Sequence, residues 1–129
     1  MISETKSVRV RSFRDLNVWQ RAMELTLAIY HLTQGFPASE TYGLTRQLRR
    51  CAVSIPSNIA EGRGRSNARE FGQFLGIARA SNCELQTQVE IARRLGYGDS
   101  KQLDQTESLS REVGKMLYTM LGTLRKKAG

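Results

Sequence analysis

Cysteine and histidine are too scarce in this chain for the common protein metal sites. The 129 residues include two cysteines, Cys51 and Cys83, and one histidine, His31. Two cysteines make neither a disulfide framework nor a zinc site. A di-iron bundle needs a Glu-x-x-His motif on each of two helices, and no carboxylate stands at that spacing from His31. We therefore expect no metal, no cofactor and reduced thiols.

Long apolar runs and alternating segments are also missing. No run approaches the roughly 20 apolar residues that cross a bilayer. Residues 1–6 lack the apolar segment of a signal peptide. No stretch alternates between apolar and polar residues over the length of a strand. These absences predict an all-α cytoplasmic protein that does not enter a membrane.

Residues that could support catalysis are equally sparse. We find no glycine loop at a strand–helix junction, no acid–base pair and no histidine placed to activate a cysteine. In an antiparallel pair of helices turning near residue 64, Cys51 is expected to lie level with Ala78. A bond to Cys83 would then need a shift of five residues, roughly 7 Å. The sequence predicts a protein that is not an enzyme, with a redox or small-molecule role for the cysteines as an alternative.

The chain does contain strong helical periodicity. Four segments carry apolar residues at steps of three and four and are joined by short turn sequences. Capping boxes are expected at Ser12 with Asp15 and at Asn67 with Glu70. The first helix is expected to end at Gly35, and the others to span about 39–62, 68–95 and 100–125.

Four helices with short connections predict an antiparallel up-down-up-down four-helix bundle. We expect the bundle domain to cover residues 13–125. A flexible basic arm, 1–12, is expected before it, and a basic tail, 126–129, after it.

Two features predict that the bundle associates with copies of itself. The first helix carries two adjacent apolar stripes, a wider face than a surface helix needs. They are Leu16, Trp19, Met23, Leu27 and Tyr30, and Val18, Ala22, Leu25, Ile29 and Leu32. The third helix carries a stripe of small residues that would admit a neighbouring helix closely, namely Gly72, Gly76, Ala80 and Cys83.

Pro56 interrupts the second predicted helix. Proline removes one backbone hydrogen bond and disfavours helical angles at the preceding residue. The apolar phase nevertheless continues through it, at Leu44, Leu48, Cys51, Ile55 and Ile59. A helix that kinks keeps its phase, so we predict one bent helix, with Ser57 and Asn58 near the freed backbone groups.

The segment around this proline, Arg-Arg-Cys-Ala-Val-Ser-Ile-Pro-Ser-Asn-Ile-Ala-Glu-Gly at 49–62, resembles the signature of the 23S rRNA intervening-sequence protein family. The resemblance extends to Phe-Arg-Asp-Leu-x-Val-Trp-Gln at 13–20, and to 36–44, 71–78 and 81–88. Members are similar to the accessory proteins of diversity-generating retroelements. The resemblance implies a four-helix bundle, a ring-shaped homopentamer and contact with RNA.

A polar strip lies beside the core stripe of the second helix. It consists of Gln47, Arg50, Ser54, Asn58 and Glu61, at steps of three and four. We interpret it as a hydrogen-bond network, or as a salt bridge between Arg50 and a glutamate of the third helix such as Glu84. A subunit seam or a ligand groove is the alternative.

The net positive charge of the chain predicts a negatively charged partner. The formal net charge is +8, from 20 Lys and Arg against 12 Asp and Glu, which favours a polyanion such as nucleic acid or an anionic membrane surface. An ordinary basic protein with solvated charge is the alternative. Arginines that could bind phosphate are Arg46, Arg49, Arg63, Arg65 and Arg69.

We expect contacts to phosphates and none by base stacking, because Trp19, Tyr42 and Tyr97 are scattered along the chain. Replacing Arg63 and Arg65 by Gln is expected to weaken binding. A scaffold that recruits a protein partner, without touching nucleic acid, is the rival function.

Overall fold

Four long helices carry most of residues 12–128, the part of the chain that the computed structural model describes. They are α1 (Asn17–Gln34), α2 (Leu44–Arg63), α3 (Ala68–Leu95) and α4 (Ser100–Ala128). Short 3-10 turns at Phe13–Asp15 and Ala38–Glu40 precede α1 and α2. Residues 12–128 contain no strand, so the fold is all-α as predicted.

The helices pack as a square. Each contacts its neighbours in the chain, and α4 closes the square against α1. The α1–α2 face therefore lies opposite the α3–α4 face. This arrangement agrees with the predicted up-down-up-down bundle.

The two apolar stripes of α1 differ in burial. The stripe from Val18 to Leu32 is buried and joins the core. The other stripe is only partly covered, and its Leu27 is 56% exposed. The apolar surplus predicted from sequence is therefore present on the surface of one subunit.

The first two helices begin later than predicted. Ser12 and Asp15 do form a capping box, but it caps the 3-10 turn, and α1 begins at Asn17. Likewise Ala38–Glu40 forms a separate turn. The Glu40 Oε1 atom accepts the Leu44 N–H at 2.9 Å, so this carboxylate serves the start of α2.

Turn residues set the other helix ends. Asn67 Oδ1 accepts the Glu70 N–H at 2.9 Å, as a capping box requires, but the return bond joins the two side chains, with Asn67 Nδ2 donating to Glu70 Oε2 at 3.3 Å. Gly96, with φ +78°, ends α3 as predicted. The predicted tail is helical as far as Ala128. The predicted arm lies outside the described residues except for Ser12.

α2 runs unbroken past Pro56, as the apolar phase predicted. Proline has no N–H, so the carbonyl of Ala52 loses its helical donor. Thr26 on α1 supplies a shared donor: its single hydroxyl proton serves the carbonyls of Ala52, 3.1 Å from Oγ1, and of Ala22, 2.8 Å from Oγ1. The position of Ser57 and Asn58 near the freed backbone groups and the bend in α2 stay predictions.

The register between α2 and α3 differs from the predicted one. Ser54 and Ser81 hydroxyls hydrogen-bond at 2.9 Å, so Cys51 lies beside Glu84 and not level with Ala78. The two thiols are kept apart because they lie in different surroundings: Cys51 is buried at the α2–α3 contact, while Cys83 is exposed on α3.

Gly62 allows α2 to approach α3. A Cβ at Gly62 would lie 2.8 Å from the Cβ of Phe74 and 3.1 Å from the backbone oxygen of Phe71. We expect Gly62→Ala to lower the free energy of unfolding by about 1–3 kcal/mol, as overpacked sites do. Gly72→Ala is the control, because nothing lies within 4 Å of a Cβ there. Urea denaturation of both variants tests this, and equal stability would contradict it.

Candidate nucleic-acid interface

A groove of about 600 Å³ lies between α1 and α2, and we call it the α1–α2 groove. Its lining combines arginines, tyrosines and small polar residues: Tyr30, Thr41, Tyr42, Thr45, Arg46, Arg49, Arg50, Val53 and Ser54. No lining residue is acidic. The helical steps of α2 bring Arg46, Arg49 and Arg50 to this surface, and Tyr42 reaches it from the turn before the helix.

Arg49 is fixed within the groove. Its Nε donates to Thr33 Oγ1 at 2.8 Å, and its guanidinium carbon lies 4.6 Å from the centre of the Tyr30 ring. Arg46 and Arg50 are exposed, and neither forms an ion pair with another residue in the range 12–128. These two guanidinium groups therefore keep their donors for a ligand.

A second groove, of about 670 Å³, lies on the opposite face between α3 and α4. This α3–α4 groove is lined by small residues, leucines and three arginines: Gly72, Gly76, Ala80, Cys83, Leu121, Leu124, Arg69, Arg79 and Arg125, with Ala68 and Gln73. A Cβ added at Gly72 or Gly76 would meet nothing within 4 Å. The small-residue stripe predicted from sequence is therefore an open groove floor.

The five predicted arginines do not form one patch. Arg46 and Arg49 line the first groove, and Arg69 lines the second. Arg63 and Arg65 lie at the α2–α3 turn, about 25 Å along α2 from Arg46 at 1.5 Å per residue. The five arginines therefore occupy three separate places on the bundle, two grooves and one turn.

Arg65 is held by contacts within the chain. Its guanidinium pairs with Glu61 at 2.7 Å and lies 4.7 Å from the centre of the Phe74 ring. Part of its charge is therefore already balanced, which leaves Arg65 less suited to phosphate than Arg46 or Arg50.

Gln47, Arg50 and Ser54 of the polar strip line a cleft of about 350 Å³ between α2 and α3, whereas Glu61 pairs with Arg65. Asn58 Nδ2 donates to the Ser54 carbonyl at 2.8 Å and to its hydroxyl at 3.0 Å, which continues the Ser54–Ser81 bond into a network. The predicted Arg50–Glu84 salt bridge is absent from the ion pairs of residues 12–128. Both side chains are exposed at the edge of the cleft, together with Gln47.

Two buried groups of α2 and α3 also reach this cleft. Burial raises the pKa of the Cys51 thiol to about 11, and the neighbouring Glu84 carboxylate adds to the rise. Gln88 is 7% exposed, and its Oε1 has no hydrogen-bond partner among residues 12–128. A protonated thiol is a poor nucleophile, so this geometry does not activate Cys51.

The aromatic residues named from sequence have different roles. Trp19 is half-buried, its ring 5.3 Å from that of Phe13. The Tyr97 hydroxyl donates to Glu40 at 3.1 Å, and this hydrogen bond raises the pKa of Tyr97. Tyr42 is 84% exposed and shares the α1–α2 groove with Tyr30, a grouping that sequence spacing did not reveal.

Residues 12–128 contain neither a metal-ligand cluster nor a helix able to cross a membrane. No cluster of three or more His, Cys, Asp or Glu side chains there could hold a metal ion. None of the helices in 12–128 combines the length and the apolar character that crossing a bilayer requires.

The fold and its two arginine-lined grooves define a small four-helix bundle with a basic surface. A family model described as 23S rRNA-intervening sequence protein matches residues 14–119, and the chain belongs to that family. No curated protein matches the chain.

A solved structure has the same fold. It is the crystal structure of a protein of unknown function from the S23 ribosomal protein family of Bacteroides thetaiotaomicron. The two chains are 22% identical and superpose with a TM-score of 0.72, over 81% of this chain and 97% of the other. At this identity the similarity supports the fold alone.

Proposed function

We propose that this protein is a non-enzymatic, cytoplasmic, ring-forming bundle that binds RNA or other nucleic acid through its basic surface. The observation that carries the proposal is the α1–α2 groove, where Arg46, Arg49 and Arg50 meet without an acidic lining residue. Guanidinium groups bind phosphate oxygens in pairs of hydrogen bonds. Membership of an rRNA intervening-sequence family agrees with an RNA partner.

The ring is the second part of the proposal, with a homopentamer as the expected state. The exposed apolar stripe of α1 and the open floor of the α3–α4 groove lie on different faces of the square. Contact between unlike faces is heterologous and closes into a ring when the rotation between copies fits. A ring would repeat each arginine once per subunit, so that weak phosphate contacts add through multivalency.

The α3–α4 groove also favours a second candidate function. Its glycine floor and flanking leucines could accept a helix of another protein in place of a neighbouring copy, and the protein would then act as a scaffold. In either case, we propose that the polar strip is structural or forms a subunit seam, together with the neighbouring Gln88, whose Oε1 has no partner among the described residues.

The test of nucleic-acid binding is salt dependence. We expect wild-type protein to bind a single-stranded RNA at low salt and the double variant Arg46→Gln, Arg50→Gln to bind more weakly. In a plot of log affinity against log salt, each lost phosphate contact reduces the steepness of the slope by about 0.7. The double variant should therefore have a slope shallower than that of wild type by about 1.4 for each subunit that contacts the RNA. Arg49 is left intact because its contacts with Thr33 and Tyr30 are structural.

The matched comparison is Arg63→Gln with Arg65→Gln, which removes the same charge at the α2–α3 turn. We expect a smaller loss from this pair, because Arg65 is already paired with Glu61. Fluorescence anisotropy at three or more salt concentrations measures both slopes. If wild-type protein fails to bind at low salt, nucleic-acid binding is wrong and the scaffold function is favoured.

A further inference from the structure

Tyr42 presents an exposed ring on a fixed backbone. The two residues before it are tied down: Thr41 Oγ1 donates to the Ala38 carbonyl at 2.8 Å, and the Glu40 carboxylate accepts from the Leu44 N–H and from the Tyr97 hydroxyl. The ring itself is 84% exposed, more than any other large apolar or aromatic side chain among the described residues. It is held at the groove without being used in the core.

A second flat surface lies in the same groove. The guanidinium of Arg49 lies over the Tyr30 ring, and its hydrogen bond to Thr33 fixes its position. The guanidinium carbon lies 4.6 Å from the centre of that ring, and Arg49 also lines the groove. Nucleic-acid bases stack on guanidinium planes as well as on aromatic rings.

We propose that the α1–α2 groove binds single-stranded nucleic acid by its bases, with one base stacked on Tyr42 and the adjoining phosphates bound by Arg46 and Arg50. This inference rests on the proposed function and adds the ligand class. Single-strand binding sites combine a positively charged groove with aromatic platforms, and both occur here. The groove volume of about 600 Å³ also falls in the range of small-ligand sites.

The strand must be single, because a duplex keeps its base faces stacked inside the helix. The stacked Arg49 guanidinium offers a place for a neighbouring base. Phosphate-only binding, which the sequence had predicted, would use the arginines and leave Tyr42 without a role.

The experiment compares two strands of equal length, a poly-uridine oligonucleotide and an abasic strand with the same number of phosphates. We expect wild-type protein to bind the strand with bases more tightly. Tyr42→Ala should weaken binding of that strand by roughly 5- to 100-fold, the range that stacking on one aromatic ring supplies. Binding of the abasic strand and the salt slope should stay unchanged. Tyr42→Trp keeps an aromatic ring at this position and should bind the strand with bases about as tightly as wild type does.

Tyr118→Ala is the matched control, because Tyr118 is also exposed, at 64%, but lies on α4 and outside the α1–α2 groove. It should bind both strands as wild type does. If Tyr42→Ala binds like wild type while Arg46→Gln with Arg50→Gln weakens binding, base stacking is wrong and the proposed function stands. If wild type binds neither strand, both proposals fail.

Discussion

Gly76→Leu is expected to break the assembled protein into a smaller species while each subunit stays folded. A leucine side chain at Gly76 would occupy the floor of the α3–α4 groove, where a helix from a neighbouring copy is proposed to pack. Within one copy, a Cβ there meets nothing within 4 Å among the described residues, and the groove of about 670 Å³ above it has space for the rest of the side chain. Replacing a helical glycine also favours the helix by up to about 1 kcal/mol.

Gel filtration with light scattering measures the outcome, and circular dichroism checks that the helices remain. Gly122→Leu is the matched control, since Gly122 also has open space around a Cβ but does not line the groove. Cys83 gives a second measurement: assembly through the groove should slow its alkylation, and Gly76→Leu should speed it. A wild-type monomer at micromolar concentration, or an unchanged mass for Gly76→Leu, would contradict this interface.

The helices could be predicted from sequence, because each element has its own apolar period. The positions of α3 and α4 also follow from local signals, such as the Asn67 cap and the glycine turn at Gly96. The start of α2 could not be predicted in the same way. Its N-cap, Gly43, has no side chain, and the carboxylate of Glu40 reaches forward to the Leu44 N–H and also binds Tyr97, a residue distant in sequence.

Contacts between helices account for the other differences between the predicted and the observed structure. Nothing near Pro56 in sequence points to Thr26, which lies on another helix and satisfies the carbonyl that proline leaves free. The arginines were predicted as one set because they cluster in sequence, but the length of α2 separates Arg46 from Arg63. Tyr30 and Tyr42 are brought to one groove only because α1 packs against α2.

The core also contains a polar pair whose loss should reduce stability strongly. Asn82 on α3 is 2% exposed, and Ser110 on α4 is fully buried. Asn82 Nδ2 donates to the Ser110 carbonyl at 2.9 Å, and the Ser110 hydroxyl donates to Asn82 Oδ1 at 2.7 Å. The apolar stripe of α3 passes through Asn82, so a single polar residue there joins α3 to α4 by two hydrogen bonds.

We expect Asn82→Leu to lower the free energy of unfolding by about 2–4 kcal/mol, because the buried Ser110 hydroxyl would lose its acceptor. At about 4 °C per kcal/mol, the midpoint of thermal unfolding should fall by roughly 10 °C. The double variant Asn82→Leu, Ser110→Ala removes both partners and should recover much of this loss, since no buried polar side chain is left unpaired. Thermal unfolding of the four proteins of this cycle, at one protein concentration, measures the coupling. If the double variant is less stable than Asn82→Leu by the full cost of Ser110→Ala alone, the two side chains are independent and the polar pair does not act as a unit.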